Sequence, residues 1–112
     1  MKTTAFTARL KSGEVMQGMV KRDVNYWTYA PYDYARVELT GDRTKLHFSR
    51  DLHSGNEVTE DLYVDTLDES GRVIARDLID VSGGRAHHVD LDAAGEWGEI
   101  VRRALAAVEA AA

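Results

Sequence analysis

The run Trp97-Gly98-Glu99-Ile100-Val101-Arg102-Arg103-Ala104-Leu105-Ala106-Ala107-Val108 is where the chain changes its hydrophobic period. Trp97, Ile100, Val101, Ala104, Leu105 and Val108 fall at offsets 0, 3, 4, 7, 8 and 11, which is one face of an α-helix. Asp92 is suited to cap its start, and Glu96 and Glu99 stand early, where the helix dipole favours anions. Glu99 can pair with Arg102 or Arg103 at helical spacing, worth a few tenths of a kcal/mol. Alanine-rich residues 104–112 extend the helical propensity. A single amphipathic helix is therefore expected over about residues 93–110, spending its Trp97 stripe on whatever precedes it.

What precedes it has a period of two. Phe6, Ala8 and Leu10 share one parity, as do Val37 and Leu39, Leu46 and Phe48, Leu62 and Val64, and Val89 and Leu91. Polar residues separate the members of each set, the pattern of half-buried antiparallel strands. Glycine-bearing turns at Lys11-Ser12-Gly13, Gly41-Asp42-Arg43, Ser54-Gly55-Asn56, Asp68-Glu69-Ser70-Gly71 and Ser82-Gly83-Gly84 punctuate the chain at intervals of about 8–12 residues. Two stretches break the alternation. Val15 to Val20 is apolar on both parities, and Val73 to Val81 switches parity between Ile74 and Ile79, which predicts a bulge or burial on two sides.

These patterns give an α+β class, mostly antiparallel β. About seven strands over residues 3–91 form a meander, sandwich or partly open barrel, with the C-terminal helix packed on it. A length of 112 residues fits a single domain, 1–112. The chain has no cysteine, which excludes disulfides, thiolate metal sites and a cysteine nucleophile. No apolar run has the length of a signal or membrane-spanning segment, so a soluble, cytoplasmic protein of bacterial or phage-like type is expected, without a membrane partner.

The most unusual composition lies in Asn25-Tyr26-Trp27-Thr28-Tyr29-Ala30-Pro31-Tyr32-Asp33-Tyr34, between a strand ending near Lys21 and one beginning near Ala35. Tyr26, Trp27, Tyr29, Tyr32 and Tyr34 are five of the nine aromatic residues, and the segment holds the only proline. Tyrosine and tryptophan combine apolar area with a hydrogen-bonding tip, the profile of interface anchors. Lys21, Arg22 and Arg36 frame the segment. The net charge of −5 is unevenly spread: residues 1–36 carry six basic and three acidic residues, residues 37–112 eight basic and sixteen acidic. A second candidate surface is the acidic run Asp51, Glu57, Glu60, Asp61, Asp65, Asp68 and Glu69, which contains no Lys or Arg between its ends. Such a run reads either as the outward face of a strand or as a patch steering a basic partner.

Catalytic signals are weak. Ser12, Ser54, Ser70 and Ser82 sit beside glycine in turns, no Gly-x-Ser-x-Gly or phosphate-loop pattern occurs, and His47, His53, His87 and His88 lack the spacing of a metal site. No catalytic residue, metal or cofactor is assigned. The expectation is a non-enzymatic protein-binding module, of the inhibitor or accessory-factor kind, using the aromatic loop and the acidic run. The alternatives are a single-stranded nucleic-acid binder using Lys21, Arg22 and Arg36 with the aromatics, and a small-ligand or metal-binding barrel or enzyme built on the histidines. The Trp97–Val108 stripe could also serve as a homodimer surface.

Overall fold

The computed structural model describes residues 1–25, 32–53, 57–81 and 87–111. Six strands, β1 (Lys2–Arg9), β2 (Val15–Asn25), β3 (Tyr32–Thr40), β4 (Thr44–His53), β5 (Glu57–Leu67) and β6 (Val73–Val81), are followed by one helix, α1 (Glu96–Ala110). The strands form one antiparallel sheet in sequence order, an up-and-down meander that does not close. The class is the expected α+β, with six strands. Among the described residues no helix is long and apolar enough to cross a membrane.

Alternation sorts the side chains onto two faces. Met16, Val20, Val37, Leu39, Leu46, Phe48, Leu62 and Val64 point inward and are buried. The helix lies across β1, β2 and β3 on that face. Its Ile100, Val101, Ala104, Leu105 and Val108 join the same core, with Trp97 packed at the margin. Each large apolar side chain withdrawn this way contributes about 1.5–3 kcal/mol. The stripe that could have served a homodimer is occupied by the chain's own sheet.

The strand expected near Val89 and Leu91 does not form. His87 donates its N–H to the Val58 carbonyl, but the Val89 N–H goes to the Glu60 carboxylate rather than to a strand. Asp90 then accepts the N–H groups of Asp92 and Ala93 and turns the chain. Val89 and Leu91 reach the core from this anchored return segment, so their apolar spacing mimics a strand without a ladder.

The helix begins at Glu96, not near residue 93, and its N-cap is Gly95, with φ +61° and no side-chain cap. Asp92, the expected cap, instead pairs with Arg102, and Glu99 lies near enough to attract the same guanidinium. Gly98 permits this docking: a Cβ there would lie 1.9 Å from the Leu91 carbonyl oxygen.

The two untidy stretches resolve differently. On β2, Met16 and Val20 are buried while Val15 and Met19 are simply exposed on the other face. On β6 the parity switch is a pair of register shifts against β5, between Leu62 and Tyr63 and between Thr66 and Leu67. β2 and β3 also run further than expected. Asp23 pairs with Tyr34, Val24 with Asp33 and Asn25 with Tyr32, so the connection bearing the aromatics is shorter than the stretch from Lys21 to Ala35.

Candidate interaction surface

The outer face of the sheet carries no covering element among the described residues, and pairing across strands organises it in rows. One row runs Ala5, Met19, Glu38, His47, Tyr63, Leu78 through all six strands. In its centre His47 Nδ1 shares a 2.6 Å hydrogen bond with Glu38 Oε1. The His47 ring stacks on Tyr63 at 4.5 Å between centroids. Arg76 covers the Tyr63 ring at 4.1 Å and donates from Nε and Nη2 to Asp65, at 2.7 and 3.0 Å.

These contacts move two titrations. The hydrogen bond with His47 outweighs desolvation and holds Glu38 below its ordinary range. The Arg76 guanidinium does the same for Asp65, which is almost fully buried beneath it. The ladder was not foreseen from sequence. Its members come from four strands and meet only once the register is fixed.

A second cluster lies nearer the strand ends. Arg36 sits over the Tyr34 ring at 4.2 Å and grips Asp51 with Nη2 at 3.1 and 3.2 Å. Lys21 is the cross-strand neighbour of Arg36. Tyr26, Trp27 and Tyr29 lie outside the described residues. So does the side chain of Tyr32, whose backbone belongs to β3. In the antiparallel sheet β2, β4 and β6 end on the same side, where β3 and β5 begin.

The basic residues framing the aromatics divide between faces. Arg22 lies on the helix side, 3.3 Å from Asp33 and paired with Glu109. Arg22 Nε and Asp33 Oδ1 are buried and have no hydrogen-bond partner among the described residues. They adjoin a groove of about 340 Å³ lined by Lys2, Arg22, Val24 and Glu109.

The acidic run is divided as well. Asp51 is held by Arg36, Asp65 by Arg76, and Glu60 is buried on the helix side, where it accepts Arg50 Nε at 2.7 Å. Asp68 folds the β5–β6 turn through Ser70 and Arg72, and its carboxyl is lowered by those hydrogen bonds. Asp61 faces outward beside Ser49, and Glu69 is exposed in the turn. The Glu57 side chain lies outside the described residues. The run lacked its own cations because its arginines arrive from β3, β4 and β6.

The histidines are likewise dispersed. His47 is on the outer face, His87 Nε2 lies 2.7 Å from Asp80, and His88 Nδ1 lies 3.1 Å from Glu60. The His53 side chain is outside the described residues. Among the described residues no three His, Asp or Glu side chains group to hold a metal ion. No family model, no curated protein and no solved structure matches the chain.

Proposed function

We propose that the protein is a non-enzymatic protein-binding module, an inhibitor or accessory factor, that meets its partner with the outer sheet face and the aromatic connection at its end. The observation that carries this reading is the Tyr34–Arg36–Asp51 cluster together with the Glu38–His47–Tyr63–Arg76–Asp65 ladder. Both present aromatic and arginine groups whose geometry is already fixed by ion pairs. Side chains held in place before binding lose less conformational entropy on association, and Tyr and Arg are favoured interface anchors.

The same pairing weighs against a phosphate-binding role. Arg36 is neutralised by Asp51, Arg22 faces the helix, and the Tyr63 ring is engaged by both His47 and Arg76, so among the described residues these groups are already committed to partners within the chain.

The test is capture from the native host's extract by the immobilised protein and by its Trp27→Ala/Tyr29→Ala variant, with and without nuclease. The expected result is one protein retained by the parent, unaffected by nuclease and lost with a variant whose circular dichroism is unchanged. Retention that vanishes with nuclease, or that survives the double substitution, overturns the reading.

A further inference from the structure

An open meander has two edges, and here they are unlike. β6 concentrates exposed aliphatic surface: Val73, Ile74, Leu78 and Val81 are 44%, 62%, 60% and 44% exposed. The other five strands together expose only Val15 and Met19 among large apolar residues of the described chain. An apolar strand with no neighbour on its outer side among the described residues is a site for strand addition. Its surroundings are acidic. With Asp65 and Arg76 paired to each other, residues 65–81 hold four further acids, Asp68, Glu69, Asp77 and Asp80, against Arg72.

β1, the opposite edge, is basic. Lys2 and Arg9 stand at its two ends and Lys11 follows, with no acid in residues 1–13. It spans eight residues against nine in β6.

We infer that β6 receives the β1 edge of a second copy of this chain, extending the sheet from copy to copy. Three features select this pairing. Charge is complementary between unlike edges, whereas β1 against β1 brings two basic strands together, each with Lys2 and Arg9, followed by Lys11, and no acid. Between its register shifts, β6 is regular only over Ala75–Leu78. Antiparallel β6–β6 registers that keep this run paired with faces aligned centre on Arg76 or Asp77, and each sets a charge against its own copy. Finally, the strand number is even. A copy displaced sideways along the sheet continues the up-and-down alternation at β6–β1 and keeps its helix on the same side. The interface is heterologous, so it builds a ring or an open filament.

The absence of cysteine makes a clean test. Ala5 and Leu78 both lie on the outer face, on opposite edges about 24 Å apart by strand spacing. The variant Ala5→Cys/Leu78→Cys therefore cannot bridge within one copy by a short bismaleimide. It should give a ladder of multimers under conditions where either single variant gives none. Light scattering of the unmodified protein should show mass rising with concentration, and Asp77→Lys should return it to one chain while circular dichroism holds. Cross-linking by Leu78→Cys alone would mean β6–β6 pairing and overturn the proposal. So would a 12.5 kDa mass at every concentration, or multimers that survive Asp77→Lys. None of these readouts depends on Trp27 or Tyr29.

Discussion

Glu60 and Val89 are joined by a hydrogen bond from the backbone N–H of Val89 to the Glu60 carboxylate at 3.0 Å. A buried acid on β5 thereby takes the place of a neighbouring strand for the segment that leads into the helix. Its other oxygen accepts Arg50 Nε at 2.7 Å. Replacing Glu60 with Ala takes the acceptor away from a buried amide and a largely covered guanidinium. Urea unfolding should show a loss of about 2–4 kcal/mol. Glu60→Gln should lose less, because an acceptor for Val89 remains.

Gly98 should resist the usual benefit of alanine in a helix. On propensity alone, Gly98→Ala would add about 1 kcal/mol. With a Cβ 1.9 Å from the Leu91 carbonyl oxygen, the helix must shift off its seat instead. Thermal unfolding should show net destabilisation of about 1–3 kcal/mol.

Acid should weaken the outer ladder. Glu38 and Asp65 both titrate below their ordinary values of 4.5 and 3.8 in the folded protein. A depressed acid binds fewer protons folded than unfolded. The stability it contributes is present above its unfolded pKa and lost as pH falls through the folded one. Stability should therefore decline on acidification below about pH 4.5, and Asp65→Asn should flatten that decline. An unchanged acid limb in Asp65→Asn would contradict the assignment.

Phe48 and Leu78 should respond oppositely to truncation. Phe48 is wholly buried in the centre of β4, and Phe48→Ala should cost about 3–5 kcal/mol. Leu78 is 60% exposed, and Leu78→Ala should change the unfolding energy of a dilute sample by about 0.5 kcal/mol or less. Chemical denaturation of the two variants side by side checks both.

The alternation of Val37, Leu39, Leu46, Phe48, Leu62 and Val64 and the 3.6-residue stripe from Trp97 to Val108 carried most of the fold, because burial on one face imposes those periods directly. Val89 and Leu91 carried a strand's spacing without being a strand, since an anchored return segment also presents alternate residues to a core. The helix start was misplaced because Asp92 satisfies both a cap's chemistry and an ion pair with Arg102, and local sequence does not say which. The candidate surface was legible only in part. Tyr34, Arg36 and Asp51 were each singled out, but their union required the register of β3 with β4. The Tyr63 ladder was invisible for the same reason, its members lying up to 38 positions apart in sequence.

Lys2 donates to the Glu109 carbonyl across 107 positions of sequence, and the helix closes over the first strands of the sheet. During synthesis, β1, β2 and β3 are made first, yet their apolar face waits for the helix, about the last fifteen residues before Ala111, to emerge. At about 5–20 residues per second, the ribosome holds that face open for seconds. Until then the sheet's apolar face stays uncovered, and a ribosome stalled before Glu96 should leave it protease-sensitive.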